Sequence, residues 1–309
     1  MERTSFAGWP DCVRLANRAI ELIVTTAVGP RVIVCGRPGG PNLFATFPDQ
    51  LGRTGGDEWR IYGGHRLWHA PEAKPRTYAP DNEPVAVAVV DGWVRFTPPI
   101  ERENRIQKEI DLRLLGEAPA AEVLHRLINR GPWPVTLAPW ALSVMRPGGV
   151  AVAPWPSRPT PDQLLPNRAL ILWPYTDPAD PRLRLGSRYL RIAQDAAASR
   201  PLKVGLTADD GWAGYAVDGF LFLKRFEYRD GAPYPDLGSA FACYTAAAFL
   251  ELETLGPLVT LAPGEAAEHR EQWFLFDGAD ARDDEAIDRT IRPRVSEAQA
   301  IAAAGGPPR

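Results

Sequence analysis

Lysine, cysteine, histidine and long apolar runs are all scarce in this chain, and each scarcity removes a class of function. Lys74, Lys108, Lys203 and Lys224 are the only lysines among 309 residues. Basic and acidic residues nearly balance, 35 against 38, for a formal charge of -3. No Lys/Arg run of the kind that neutralises a phosphate backbone is present, so nucleic acid is not an expected partner. Cys12, Cys35 and Cys243 are odd in number and widely spaced, which fits neither a disulfide framework nor a CxxC metal site. A reducing, cytoplasmic compartment is the expectation that follows. Met1 to Pro10 lacks a basic stretch followed by an apolar one, and no later segment approaches eighteen uninterrupted apolar residues. Neither an export signal nor a membrane partner is expected. The Ser-centred G-x-S-x-G elbow, the Gly-Lys-Ser/Thr phosphate loop and the G-x-G-x-x-G dinucleotide loop are missing too, so no cofactor is expected.

What the chain does have is turn punctuation. With 32 prolines and 27 glycines spread along it, 45% apolar and 24% charged residues, the composition is that of a globular protein cut into short strands. Ala19–Thr26 and Arg31–Cys35 read as a hairpin around Val28-Gly29-Pro30. Pro84–Val90 and Trp93–Thr97 flank Asp91-Gly92, the strongest two-residue hairpin signal in the sequence. Ile110, Leu112 and Leu114 alternate with Asp111 and Arg113. Strand-like segments continue over 122–129, 134–145, 203–206, 212–217, 220–226, 240–252, 259–261 and 269–276. Helix formers concentrate only after about residue 280, where Pro293 should divide them. The pattern predicts an all-β chain, one large antiparallel β-sandwich domain over 1–309, with a core at about 12–277 and a short helical tail at about 280–303.

Two stretches concentrate reactive side chains. From Gly56 to Glu72 the sequence supplies Trp59, Tyr62, His65, Arg66, Trp68 and His69 among glycines and a proline. Aromatic faces for the apolar side of a sugar ring, with charged donors and acceptors for its hydroxyls, are what a carbohydrate site requires; the same residues would equally serve as a loop packed on the sandwich edge. His65, His69 and Glu72 could be read as metal ligands, but the two-histidine spacing needs a helix to put both on one face, and the flanking glycines and Pro71 argue against one. No metal is expected. The second stretch is Phe249–Pro257. In a strand, Phe249, Glu251 and Glu253 share one face, where two carboxylates raise each other's pKa as a general base requires, or simply form a solvated outer face. Lys203 and Lys224, in expected strands, are candidate contacts for a charged sugar. His125 and His269 read as core or edge residues.

Gly63-Gly64-His65 with Trp68, Tyr244-Thr245, Glu253 to Pro257 and Leu261-Ala262-Pro263-Gly264-Glu265 resemble, in order and spacing, the landmarks of the galactose mutarotase-like superfamily. Lys203-Val204-Gly205, Gly211-Trp212-Ala213-Gly214-Tyr215, Tyr234-Pro235-Asp236-Leu237-Gly238 and Glu251 to Pro257 look more narrowly like its bacterial domain-of-unknown-function family 4380 branch. The likeness spans about Glu21 to Asp277. It implies a two-sheet supersandwich whose concave face holds a small-molecule carbohydrate, and cofactor-free acid–base chemistry of the aldose 1-epimerase kind. Glu253 resembles the family base, Glu251 is the neighbouring choice, and His65 resembles the histidine of the first sugar-contacting motif. Arg66, Trp59, Trp68, Tyr234 and Asp236 join Lys203 and Lys224 as candidate substrate contacts. The family's catalytic histidine is expected near Trp140–Met145, where this chain has none. His69 is then the candidate stand-in; the alternatives are a different acid, or a protein that binds carbohydrate or serves structurally without chemistry.

Overall fold

The computed structural model describes residues 1–156, 160, 162 and 164–305. Two antiparallel sheets of eleven and ten strands pack face to face. From one edge to the other, the first contains Glu2–Phe6, Trp9–Ala16, Glu21–Thr25, Val32–Gly36, His65–Ala70, Val135–Met145, Phe249–Leu255, Phe241–Ala246, Leu202–Leu206 and Leu170–Leu172; Val259–Leu261 pairs with the start of Val135–Met145. The second runs Leu183–Leu185, Tyr189–Ala193, Val150–Pro154, Trp212–Val217, Phe220–Phe226, Ala266–Asp277, Ala120–Asn129, Ile106–Leu114, Trp93–Thr97 and Ala86–Val90. This is the large two-sheet antiparallel β-sandwich expected from the sequence, with its two longest helices at the C-terminal end.

Side-chain alternation builds the two layers. Along Ala266–Asp277, Ala267, His269, Glu271 and Trp273 are buried while Glu268 and Arg270 are exposed, the period of two that a strand with one covered face must have. The pattern then breaks, because Phe274 and Phe276 are buried on the other face. The reason is the tail. Helices Asp284–Thr290 and Arg292–Gly305 lay Ile287, Ile291, Val295 and Ala298 against Trp212, Leu221, Leu223, Phe274 and Phe276. The tail is therefore a packed helix pair. Asp283 caps the first helix, its side chain accepting from the Ala286 N–H. Between the sheets, Leu22, Leu67, Phe96, Ile110, Val123, Phe222, Leu252 and Trp273 belong to one continuous apolar core.

The Asp91-Gly92 hairpin forms as read, with both residues at positive φ, 50° and 80°, as the tight two-residue turn requires. Residues 240–252, read as one strand, are two: Ala246 pairs with Phe249 across Ala247-Ala248, a turn without glycine, proline or asparagine to announce it. Glu2–Phe6 and Trp9–Ala16 extend the first sheet N-terminally, with Trp9 and Cys12 fully buried.

Burial of the helix pair makes a stability test. Ile287→Ala, at a fully buried position, should cost about 2–4 kcal/mol in urea unfolding, whereas Glu297→Ala on the exposed side should stay within about 0.5 kcal/mol. Equal effects would mean that the tail does not contribute to the cooperative unit.

Candidate functional site

Strand Phe249–Leu255 determines the site, because its alternation sends Glu251, Glu253 and Leu255 to the outer face of the first sheet and Leu250, Leu252 and Thr254 inward. Register brings the partners. Leu142 lies opposite both Glu253 and Arg66; Trp140 lies opposite both Leu255 and Trp68; Tyr244 lies opposite both Glu251 and Lys203. Paired residues share a face, so five strands deliver Arg66, Trp68, Trp140, Tyr244, Lys203, Glu251 and Glu253 to one patch. Gly63 and Gly64 position Arg66. Both have positive φ, and a Cβ on either would stand about 2 Å from a carbonyl oxygen, of Ala45 or of Val32. Only glycine lets the chain enter the strand there.

The patch is a largely buried, charged and aromatic centre. Glu253 is fully buried, and its Oε2 accepts from Lys203 Nζ at 2.8 Å and from Trp140 Nε1 at 2.9 Å. Lys203 Nζ sits between the rings of Trp140 and Trp173, 4.6 and 4.8 Å from their centroids. Arg66 donates to Glu251 at 2.9 Å and lies over Trp68 and Trp59, 4.4 and 5.5 Å from the ring centroids. Trp59, Trp68 and Tyr78 close the patch with mutual ring contacts of 5.0 to 5.4 Å. Burial, with Glu251 adding to it, pushes the Glu253 carboxyl up to about 7 despite Lys203 and Trp140. Burial alone would depress Lys203; Glu253 and Glu251 more than offset it and hold the ammonium above its ordinary range.

Five buried polar atoms of this centre have no hydrogen-bond partner: Arg66 Nε and Nη1, Trp59 Nε1, Trp68 Nε1 and Glu253 Oε1. Four are donors and one is a carboxylate oxygen. Orphaned groups of this kind are costly in a folded interior, and their concentration on one patch makes it the candidate site.

The structure does not bring every expected residue here. His65 and His69 are on the opposite side of their strand from Arg66 and Trp68. His65 faces the space between the sheets, where its Nδ1 contacts Ser143 Oγ at 2.8 Å and its Nε2 contacts His125 Nε2 at 2.7 Å. His125 Nδ1 meets the His269 carbonyl, which only accepts, so Nδ1 carries the proton and the bare Nε2 receives the one on His65. Burial depresses all three histidines, so they are neutral. Lys224 belongs to this inner network: it donates to Glu271 at 2.8 Å, alongside Trp273 at 2.7 Å and Thr254. Donor atoms of His65, His125 and Glu271 lie within 4.8 Å of one another. The charge on Lys224 already neutralises Glu271, and the imidazoles satisfy each other, so this set suits a hydrogen-bonded core better than a cation.

His69 is buried with Nε2 3.4 Å from Glu101, which also meets Lys108 at 2.8 Å. Tyr234 stacks on Tyr228 and accepts from the Arg229 N–H, away from the patch. Asp236, at φ 50°, interacts electrostatically with Lys203; burial raises its carboxyl. Of the sequence candidates, Glu253, Glu251, Arg66, Trp59, Trp68 and Lys203 thus converge, Asp236 stands near, and His65, His69, Lys224 and Tyr234 lie elsewhere. Trp140, Trp173 and Tyr78 were not anticipated. Trp140 was within reach of the sequence, since it alternates in step with Leu142 on a recognised strand; Trp173, just after Leu170–Leu172, and Tyr78, in the short 3-10 turn Arg76–Tyr78, are brought in only by the fold. A cavity of about 610 Å³ lies apart from Glu253, lined by Asp81, Glu101 and Lys108 and touching the centre only through Tyr78.

No family model matches the chain, and no curated protein matches it. Solved structures do. A galactose mutarotase-like protein from Lactobacillus casei superposes with a TM-score of 0.55 at 11% identity, covering 86% of this chain and 100% of the other. Another from Clostridium acetobutylicum gives 0.52 at 12%, covering 89% and 98%. A TPR-domain containing protein from Parabacteroides distasonis gives 0.57 at 13%; 88% of this chain matches about half, 48%, of that one. At such identities the likeness speaks for the fold alone: the chain has the architecture of the galactose mutarotase-like proteins.

Proposed function

We propose that the outer face of the first sheet binds a carbohydrate and that the protein is a cofactor-independent sugar epimerase or mutarotase. A place in the family 4380 branch is part of the same proposal and rests on the sequence motifs. The observation that carries the reading is the buried Glu253 carboxyl, poised near pH 7 with one unpartnered oxygen amid four unpartnered donors and a wall of tryptophan rings. Indole faces suit the apolar side of a pyranose; guanidinium and indole N–H groups suit its oxygens.

Acid–base chemistry needs two groups, and no histidine reaches this face. Lys203 is the acid that the geometry offers. Glu253 takes the proton of the anomeric hydroxyl while the Lys203 ammonium gives one to the ring oxygen. The C1–O bond of the ring breaks as the C1 carbonyl forms. Rotation about C1–C2 and the reverse transfers close the other anomer and return both protons. Anomeric and ring oxygens share one carbon, so two catalytic groups 2.8 Å apart can serve both. A second reading, a structural role without chemistry, is favoured by the inaccessibility of the centre: its orphaned atoms are closed from solvent beneath the rings of Trp59, Tyr78 and Trp173.

Glu253→Gln should lower anomer exchange, followed by NMR on a sugar that the wild type binds, by about 10²–10⁴-fold while leaving the fold intact. Unchanged exchange would remove Glu253 from the mechanism. The same variant tests the carboxyl's environment. Its folded-state pKa, about 7, exceeds the ordinary 4.5, so between these values the folded protein keeps a proton that the unfolded chain releases. This group's contribution is therefore most favourable at low pH and falls as pH rises through 7. The stability of the wild type relative to Glu253→Gln should fall from pH 5 to 7, by at most roughly 1.4 kcal/mol per unit. A flat difference would mean an unshifted carboxyl.

A further inference from the structure

The two sheets have four outer edges, and three of them are protected. A bare edge offers a row of unpaired N–H and C=O groups to any other strand, so proteins shorten their edge strands or place charge on them. In the first sheet the outer strands are Glu2–Phe6, which carries Glu2 and Arg3, and Leu170–Leu172, which is three residues long. In the second sheet Leu183–Leu185 is equally short and has Arg184 at its centre. Ala86–Val90 is the exception. It spans five residues, and no charged residue or proline stands between Pro84 and Asp91. Its ladder with Trp93–Thr97 uses one side, and among the described residues no other hydrogen bond reaches residues 86–90.

The side chains of this edge carry the core past its boundary. Paired residues share a face, and Val87 lies opposite Phe96 and Val89 opposite Val94, both buried between the sheets. Val85, just before the strand, is buried in the same cluster, and Val87 packs against it. Val89, one pleat further, is 63% exposed. A valine on the core-facing side of a sheet, left in water, lacks an apolar neighbour on its open side. On the other face Ala86 and Ala88 are exposed and too small to obstruct a strand laid alongside.

We infer that a second copy of this chain pairs its own Ala86–Val90 here, antiparallel about a two-fold axis perpendicular to the sheet at Ala88, joining two ten-stranded sheets into one. Such an axis keeps the core-facing side chains on one face, so it must pass through a residue rather than between two. Centred on Ala88, it pairs all five residues; centred on Val87 or Val89, it would draw Pro84 or the Asp91-Gly92 turn into the ladder. Val87 of each copy then lies opposite the partner's Val89, and the exposed valine gains the neighbour it lacks. An uncharged edge has no ion pair with which to select a foreign partner, whereas its alternation of alanine and valine is complementary to itself. Pairing consumes the edge, so assembly stops at two chains. Five paired residues bury less than the roughly 800 Å² per partner of a standard interface, which makes the dissociation constant micromolar rather than nanomolar. The pairing is independent of what the Glu253 centre binds.

Analytical ultracentrifugation of the full chain tests it. The mass should rise from one chain to two between about 1 and 300 µM and go no further, and Val89→Lys, at a position already exposed, should leave a monomer over that range with an unchanged melting temperature. Ala88→Cys reads the register. The three native cysteines are buried, and residues opposite each other across an antiparallel pair stand about 5 Å apart, so this variant should form a covalent dimer with a short thiol crosslinker. Ala86→Cys, about 14 Å from its symmetry mate, should not. A monomer at every concentration, growth beyond two chains, a dimer that survives Val89→Lys, or equal crosslinking at the two positions would each overturn the pairing.

Discussion

Charge burial along one strand is the constraint on which this molecule is organised. Phe249–Leu255 is covered on both sides, yet it carries Glu251 and Glu253 outward and Thr254 inward to Glu271. A carboxylate taken from water must find a cation or a proton. On the outer face Lys203 and Arg66 answer, each held in turn by tryptophan rings; on the inner side Lys224 answers, fully buried with Glu271. Three of the four lysines are thus spent on buried carboxylates, counting Lys108 with Glu101. Surface positive charge is left to arginine for the most part.

The two networks differ in a way that bears on function. Between the sheets no buried side-chain polar atom of Ser143, His65, His125, His269, Thr254, Glu271, Lys224 or Trp273 is left without a partner. Such a set specifies how the sheets pack and has nothing left for a ligand. On the outer face the arrangement is deliberately incomplete, with Glu253 half satisfied and Arg66, Trp59 and Trp68 holding unused donors. Incomplete hydrogen bonding beside a carboxyl near pH 7 is the ground for proposing the site on the side that the three histidines do not face.

Much of the fold was legible, since strands in antiparallel sheets announce themselves by alternation and by turns such as Asp91-Gly92. The turn at Ala247-Ala248 was not, because a two-residue loop built without positive φ leaves no residue signature. For the site, alternation correctly put Glu251 and Glu253 together and away from Leu250 and Leu252. It could equally have separated His65 and His69 from Arg66 and Trp68, because these alternate along one strand; reading the segment as a loop concealed that. Trp173, just past the edge strand Leu170–Leu172, and Tyr78, in the 3-10 turn Arg76–Tyr78, reach the centre through the folding of the chain, and no local pattern reports such an approach. Lys224 lies in a strand of the second sheet, so its separation from Lys203 required knowing which strands share a sheet.

The ten tryptophans offer the most direct test, since Trp59, Trp68, Trp140 and Trp173 surround the proposed sugar while Trp133 is exposed elsewhere. Indole N–H signals in a nitrogen-15 NMR spectrum, assigned by single Trp→Phe variants, would be followed during titration with the sugar panel. The account predicts saturable shifts at Trp59 and Trp68, whose N–H groups gain a partner, and at Trp140, which already donates to Glu253. Saturable shifts that leave these three unmoved, or no shift with any sugar, would contradict it.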